Sequence, residues 1–346
     1  MELVQWRGKM DKGFVLDKLR PVFLTGPPRS GTTLLQLLLS SHSRFSSAPE
    51  THFFSYVLQP IEDWPTKKLS AEKLDMIFER LAEKPLIDVS GEFREVIRQK
   101  ASSDGISAGS LLNEVMVYLS GASEKNETRW IEKTPRHALY VREILKIYPG
   151  AKIITIIRDP RDVVSSQSPF GNFRSRVQLR RYRLSRAERW NVIVESVAHL
   201  MPNENILLIR YEDIVQRPEM SLKEIMEFLE EGYEPHMLRV FSNNYDRVVR
   251  PEESRHKNLC SIGEIVDRRN IWKTRMGKFE ALLVEAICEP LMVQYGYLPD
   301  HAKGLSRVCR VNMLHYEKKR LEVITNFRKK LASSNRLLRF GSLKEQ

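Results

Sequence analysis

The feature that most constrains this chain is a short loop near its start, within residues 21–37 (PVFLTGPPRSGTTLLQL). An apolar run comes first, then a loop bounded by Gly26 and Gly31, then a leucine-rich segment. The spacing of the two glycines, followed by Thr32 and Thr33, is that of a phosphate-binding loop between a strand and a helix. Glycines let successive backbone N–H groups turn toward an anion, and a helix N-terminus adds partial positive charge. The sequence therefore predicts a phosphate site in this loop.

One position differs from the loop of nucleotide hydrolases. Where those proteins carry the Lys that reaches a β- or γ-phosphate, this chain has Thr32, and its nearest cation is Arg29. We therefore expect the loop to hold a phosphate without cleaving a triphosphate.

Three apolar runs predict strands, at Val22–Thr25, Lys152–Ile157 and residues 205–209. Each is followed by a loop of small or charged residues and then by helical periodicity. Repeated strand–loop–helix units predict an α/β fold, with a P-loop-like parallel sheet flanked by helices. In such sheets ligands bind where the loops leave the carboxyl ends of the strands.

Residues 60–130 have a different pattern, with helical segments and polar breaks. Amphipathic helices are predicted at 69–81 and 111–119, and a turn region rich in Ser and Gly at 102–110. We interpret this region as a helical insertion in a domain of residues 1–300. It is suited to choosing a substrate, but a covering layer without that role explains the pattern equally well.

Most of the net charge of +12 lies in residues 301–346, which hold 12 Lys and Arg against 3 Asp and Glu. Apolar residues at helical spacing predict a basic C-terminal helical tail. Such a tail suits peripheral contact with an anionic membrane surface, although a helix docked on the domain explains it as well. Nucleic acid is not an expected partner, because the tail has few aromatic residues for stacking.

Cellular location is inferred from what the chain lacks. It has no run of 18 apolar residues, and its first residues lack the apolar segment of a secretory signal. The three cysteines are widely spaced and form no metal-ligand pattern. A cytoplasmic protein without a metal is therefore expected.

A second informative segment is residues 153–166 (IITIIRDPRDVVSS). An apolar strand ends at Arg158, and Ser166 follows in the first turns of the next helix. A guanidinium and a hydroxyl so placed suit one further phosphate. Taken alone, the segment is equally typical of an Asp-Pro turn with a helix-capping ion pair.

Together these segments resemble the PAPS-dependent sulfotransferase family, which binds 3′-phosphoadenosine 5′-phosphosulfate (PAPS) on a P-loop-like fold. The resemblance covers roughly residues 20–300. The family's 5′-phosphosulfate loop, in its Arg form, is matched by Arg29, Ser30, Gly31, Thr32 and Thr33. Its 3′-phosphate pair is matched by Arg158 and Ser166. The resemblance implies PAPS as donor, adenosine 3′,5′-bisphosphate (PAP) as product, no metal, and an acceptor that carries a hydroxyl.

The resemblance also implies the acid–base residues. Glu50 matches the base of protein-tyrosine sulfotransferases, and Lys133 matches a cation that reaches the transferring group. His52 is an alternative base. A further alternative is that Glu50 has only a structural role, in an ion pair with a nearby Arg. A carbohydrate-type hydroxyl is slightly favoured as acceptor over a peptide tyrosine or small metabolite.

Two later residues are assigned to the nucleotide by family position. Tyr211 follows the third predicted strand and would contact the nucleotide, unless it is a core aromatic. Lys273 matches a closing element near the 3′-phosphate only loosely. The arginine-rich residues 174–189 predict either a basic stripe for an anionic acceptor or a solvated face.

Two other classes of function remain open from the sequence. A P-loop small-molecule kinase is disfavoured by Thr32. A non-catalytic protein of this fold that binds PAP or a membrane is disfavoured by the presence of Glu50 and Lys133.

Overall fold

The structure is a computed structural model, and it describes most of the chain between residues 20 and 319. The described residues are 20–302 without 60, 62–63, 65–66, 85–86, 123–127, 168–172, 174 and 239–264, together with 309, 311–319 and 322. Most of the predicted tail, Arg174 and Cys260 lie outside them.

The chain divides into two compact units. The first comprises residues 1–158 and 193–268, and the second comprises 159–192 and 269–346. The domain bounds predicted from the sequence, 1–300 and 301–346, stay a prediction.

A five-stranded sheet lies at the centre of the first unit. Its strands are β1 (Val22–Thr25), β2 (Phe45–Ser47), β3 (Arg129–Lys133), β4 (Lys152–Ile157) and β5 (Ile206–Arg210). They lie side by side in the order β2-β3-β1-β4-β5, and every pair is parallel. The predicted α/β fold with a parallel sheet flanked by helices is confirmed.

The described helices follow one another along the chain between and after these strands. They are α1 (Thr32–Ser40), α2 (Ala71–Ala82), α3 (Gly91–Asp104), α4 (Ala108–Ser120), α5 (Val141–Ile147), α6 (Pro160–Gln167), α7 (Arg176–Ala198), α8 (Tyr211–Gln216), α9 (Pro218–Leu229), α10 (Trp272–Arg275) and α11 (Lys278–Gln294). Short 3₁₀ helices occupy Pro135–Tyr140 and Pro235–Leu238, and a π-helical turn occupies Phe53–Val57. No described helix is both long and apolar enough to cross a lipid bilayer.

Both faces of the sheet are buried, as the apolar composition of its central strands requires. On one face, Phe23 of β1 lies among the rings of Phe54, Trp130 and Tyr148, with centroids 5.5–6.3 Å away. On the other face, Leu24 packs with the leucines of α1 and with apolar residues of α9. Helices on both faces leave the carboxyl edge of the strands as the place for a site.

The predicted insertion is helical, and part of it packs on the sheet. Helix α4 contacts β2 and β3, and its Asn113 accepts a hydrogen bond from Trp130 Nε1 at 2.9 Å. The predicted turn at 102–110 is shorter than expected, because α3 runs to Asp104. Ser107 then caps the start of α4, its hydroxyl accepting the N–H of Ser110 at 3.0 Å. A substrate role for the insertion stays a prediction.

Buried ion pairs organise the second unit. Arg161 contacts Asp159 at 2.7 Å and Glu285 at 2.8 Å. Because burial opposes the charge of Arg161 but both carboxylates favour it, the pKa of its guanidinium is raised. Asp162 accepts the N–H groups of Asn270 at 2.8 Å and Trp272 at 2.9 Å. These contacts fix the segment that leads into α10.

Candidate active site

The loop between β1 and α1 has the backbone conformation that its glycines suggest. Gly26, Arg29 and Gly31 have φ values of 137°, 78° and 100°. A Cβ on Gly26 would lie 2.1 Å from the carbonyl oxygen of Ile156, so only glycine fits against β4 there. Arg29 is not a glycine, and its left-handed conformation is uncommon for such a residue. The loop is therefore held in an unusual shape, as is common at ligand sites.

Ser30 gives this loop an inward polar group. Its side chain is fully buried, and its Oγ has no hydrogen-bond partner within the described part of the chain. Helix α1 begins two residues later at Thr32, and no side chain caps its first N–H groups. A buried hydroxyl without a partner costs stability unless something binds it. Together with the helix N-terminus, it fits an anion such as a phosphate.

Tyr211 and Arg158 support the loop from the neighbouring strands. Tyr211 begins α8, directly after β5, and its buried ring lies so close to Gly31 that a Cβ there would be 2.6 Å from Cδ2. The guanidinium of Arg158 stacks on the same ring at 4.4 Å. Burial raises the pKa of the Tyr211 phenol, although the nearby charge of Arg158 opposes this. Tyr211 therefore packs on the loop at Gly31, and its predicted contact with a nucleotide stays a prediction.

Arg158 also contacts two backbone segments. Its Nη1 donates to the carbonyl of Arg29 at 3.4 Å, and its Nη2 donates to the carbonyl of Arg268. The residue is 6% exposed. Its position at the end of β4 places a buried cation beside the loop.

Lys133 joins the loop to Glu50. It is the last residue of β3, its side chain is 4% exposed, and its Nζ forms an ion pair with Glu50 Oε1. The same Nζ donates to Thr33 Oγ1 at 3.4 Å. The structure thus brings together three residues that are far apart in the sequence.

His52 lies on the other side of Glu50. Its Nε2 is 3.3 Å from Glu50 Oε2, and the two side chains are 32% and 34% exposed. Burial lowers the pKa of His52 below 6.5, although the charge of Glu50 opposes that effect. Burial therefore favours the neutral form of His52, and its Nε2 lies close to the carboxylate of Glu50.

A buried carboxylate that the sequence analysis did not single out lies beneath this pair. Glu132 is fully buried in β3 and accepts hydrogen bonds from Thr51 and Thr134 at 2.7 Å and from His137 at 2.8 Å. Burial raises its pKa, but His137 and the donated hydrogen bonds outweigh burial and lower it to about 2. The signal in the sequence was a charged residue inside an otherwise buried strand, which requires partners.

The other two predicted nucleotide ligands belong to the second unit. Ser166 is partly buried in α6, and Lys273 is exposed in α10 with its Nζ 3.9 Å from Asp300. Their predicted roles stay predictions.

The predicted basic stripe is largely engaged within the second unit. Arg180 pairs with Glu317 at 2.7 Å, and Arg183 pairs with Glu280 while donating to the carbonyl of Arg275 at 3.0 Å. Arg183 is 6% exposed, so it is neither a solvated charge nor an open anion site.

Comparisons with known proteins agree with the resemblance seen in the sequence. A family model described as "Sulfotransferase family" matches residues 21–235. A putative protein-tyrosine sulfotransferase of Caenorhabditis briggsae is 26% identical over 63% of this chain and 68% of its own. Protein-tyrosine sulfotransferase A of Caenorhabditis elegans is 27% identical over 60% of this chain and 49% of its own. Among solved structures, a mouse sulfotransferase complexed with PAP gives a TM-score of 0.46 at 14% identity, over 87% and 92% of the two chains.

Proposed function

The chain belongs to the sulfotransferase family, and on that basis we propose that it transfers a sulfuryl group from PAPS to an acceptor hydroxyl and releases PAP. The family and enzyme class predicted from the sequence are confirmed by that match. The donor, the acceptor and the residue roles form the proposal.

The observation that carries the proposal is the contact of Lys133 with both Thr33 and Glu50. It links an anion-binding loop to a carboxylate through one buried cation. A transferase needs this combination, because a donor's anionic group and an acceptor's hydroxyl must meet within hydrogen-bond reach of a base.

PAPS, when bound, supplies an electrophilic sulfuryl group on a 5′-phosphate leaving group. The backbone N–H groups at the start of α1 and the hydroxyl of Ser30 would hold that phosphate. Arg29, Thr32 and Thr33 complete the loop, and Arg29 would neutralise charge on the departing phosphate. The unusual conformation of the loop and the buried Ser30 Oγ support this assignment.

Glu50 would remove the proton of the acceptor hydroxyl. It is one-third exposed, so an acceptor has access to it, and Lys133 and His52 hold its two oxygens. Lys133 would stabilise negative charge that develops around the transferring group, an electrostatic effect that is strong at a buried site. His52 would orient the acceptor or share the proton.

Arg158 would hold the 3′-phosphate. Its guanidinium is buried beside the loop, and a planar cation with several donors suits a phosphate. Tyr211 would keep Arg158 in place through their stacked contact. The family resemblance adds Ser166 and Lys273 as further ligands of the nucleotide.

For the acceptor, we favour a carbohydrate-type hydroxyl, on the combination of an Arg in the loop with a Glu as base. A peptide tyrosine is the second candidate, because curated relatives are named protein-tyrosine sulfotransferases. An anionic acceptor and peripheral membrane contact through residues 301–346 remain part of the proposal.

Calorimetric titration with PAP, and separately with ATP and Mg²⁺, tests the donor site. We expect tight binding of PAP that survives a metal chelator and weak binding of ATP. Preference for Mg²⁺-ATP would refute the proposal and favour a kinase.

Transfer itself is tested by PAP release from PAPS with a panel of acceptors: a methyl glycoside, a tyrosine peptide, a phenol and water alone. Glu50→Gln should bind PAP within about twofold of the native protein, yet release PAP about a hundredfold more slowly with the best acceptor. A native rate in this variant would exclude Glu50 as the base.

A further inference from the structure

Glu132 offers hydrogen-bond acceptors only, and its described partners all donate to it. Its Oε1 accepts the hydroxyls of Thr51 and Thr134, and its Oε2 accepts Nδ1–H of His137. An ionised carboxylate has no proton to donate. Each of the three partners must therefore point its proton at Glu132 and its remaining lone pairs elsewhere.

Those lone pairs receive the N–H groups of three consecutive residues. The backbone N–H of His52 donates to Thr134 Oγ1 at 3.1 Å, that of Phe53 to Thr51 Oγ1 at 3.2 Å, and that of Phe54 to His137 Nε2 at 3.2 Å. One buried carboxylate thus orients three acceptors for the segment that directly follows Glu50.

This segment has a conformation that needs external support. His52 has φ 52°, in the left-handed region that side chains seldom adopt, and a π-helical turn begins at Phe53. Both features cost free energy and persist only when surrounding contacts fix them. The three hydrogen bonds above are such contacts.

Lys133 is covalently next to Glu132, so the same strand end fixes both halves of the Glu50–Lys133 pair. Displacement of a reacting group by about 1 Å is enough to cost about a hundredfold in rate. A carboxylate that anchors both segments therefore bears directly on the distance between base and cation.

We propose that Glu132 is a positioning residue: through Thr51, Thr134 and His137 it fixes the segment after Glu50 and so holds Glu50 beside Lys133. The inference rests on the proposed role of Glu50 as base.

The test compares Glu132→Gln and Thr51→Val with two controls. The amide of Gln adds a donor, so one partner must reverse its hydrogen bond, and Val removes the Thr51 hydroxyl altogether. Thr51→Ser restores that hydroxyl. Thr155→Val removes an equally buried hydroxyl, bonded to Thr25 Oγ1 at 2.8 Å inside the sheet, without touching the network.

The first readout is kcat for PAP release with the best acceptor of the panel, per PAP-binding site counted by calorimetry. We expect Glu132→Gln and Thr51→Val to lower kcat about tenfold to a hundredfold with PAP affinity within about twofold. Thr51→Ser and Thr155→Val should stay within about threefold of the native kcat. If Glu132→Gln does not fold, Thr51→Val decides.

The second readout needs no acceptor: the pKa of His52, from NMR titration and assigned with a His52→Gln variant. It should lie below 6.5 in the native protein and move toward 6.5 in Thr51→Val as the segment loosens. Glu132→Gln is left out of this readout, because it also removes a charge that itself raises the pKa of His52. A kcat within about threefold of native in both variants, or an unmoved His52 pKa, would overturn the inference. If Glu50→Gln keeps a native rate, the proposed base is wrong, and the His52 pKa alone then decides whether Glu132 orders the segment.

Discussion

The most specific prediction concerns Arg158→Ala. The substitution removes a buried guanidinium that stacks on Tyr211 and donates to the carbonyl groups of Arg29 and Arg268. Its loss would therefore affect a 3′-phosphate directly and the 5′-phosphate loop indirectly. A single affinity would mix the two effects, so the prediction is made for a pair of ligands.

PAP and adenosine 5′-phosphate differ only by the 3′-phosphate. Any disturbance of the loop through Arg29 weakens both ligands alike and cancels in the ratio of their dissociation constants. The direct contact does not cancel. A hydrogen bond to a charged group contributes about 1.5–3 kcal/mol, and the burial of Arg158 (6% exposed) places this contact in that range rather than below it. About 2 kcal/mol corresponds to a roughly thirtyfold change in the ratio.

Calorimetric titration of native protein and variant with both nucleotides measures the four dissociation constants. Arg158→Lys keeps the charge but loses the planar guanidinium. Its ratio of dissociation constants for the two nucleotides should therefore lie between that of the native protein and that of Arg158→Ala. Arg98→Ala removes an exposed charge paired with Asp75 and should leave the ratio unchanged. Equal weakening of PAP and adenosine 5′-phosphate by Arg158→Ala would refute the assignment of the 3′-phosphate to this residue.

Three further predictions concern the loop, the cation and the buried carboxylate. Gly31→Ala would place a Cβ 2.6 Å from the Tyr211 ring on a backbone with φ 100°, so its PAP affinity, measured by calorimetry, should fall at least about tenfold. Gly121 also has a positive φ, 68°, but open space around it, so Gly121→Ala should bind PAP normally. Lys133→Met should lower kcat about a hundredfold with PAP affinity within about threefold, and an unchanged kcat would remove its catalytic role. The pKa of Glu132 is about 2 in the folded protein against an ordinary 4.5, so its stabilising contribution is present above about pH 4.5 and is lost as the pH falls toward 2. The difference in melting temperature between native protein and Glu132→Gln should therefore shrink over that range, and a constant difference would contradict the low pKa.

The sheet could be predicted where its strands are apolar and not where they are charged. The bounds of β1 and β4 were predicted as the structure has them, and β5 begins one residue later than expected. Strand β2 has only three residues, and β3 reads RWIEK, so neither resembles the apolar run of a buried parallel strand. The charges of β3 are tolerated because Glu132 and Lys133 both have partners. Thr134 and His137 are close to Glu132 in the sequence, whereas Thr51, Thr33 and Glu50 come from distant parts of the chain.

The sequence named most residues of the candidate site but not the contacts between them, and the roles of these residues stay predictions. Glycine spacing identified the loop, and family resemblance singled out Glu50 and Lys133. Their contact joins residues 83 positions apart, and no local pattern encodes it. Glu132 was missed although Thr134 and His137 follow it closely, because no local pattern shows that the carboxylate is buried or that Thr51, 81 residues away, completes its contacts. The nucleotide contact of Tyr211 stays a prediction, and its packing against Gly31 follows from the parallel arrangement of β1, β4 and β5.

The π-helical turn Phe53–Val57 makes the geometry beside Glu50 depend on the number of residues in this segment. In this turn the N–H of Val57 donates to the carbonyl of His52 at 3.1 Å, and that of Leu58 to Phe53 at 2.9 Å, so each bond spans five residues instead of four. Deleting one residue would allow a regular α-turn to close there. The buried Phe53 and Phe54 anchor the turn in the core, whereas His52 contacts Glu50. A one-residue deletion in this turn is therefore expected to rotate His52 and Glu50 relative to the buried rings. The length of the segment, and not only its side chains, is then a variable for redesigning the proposed acceptor site.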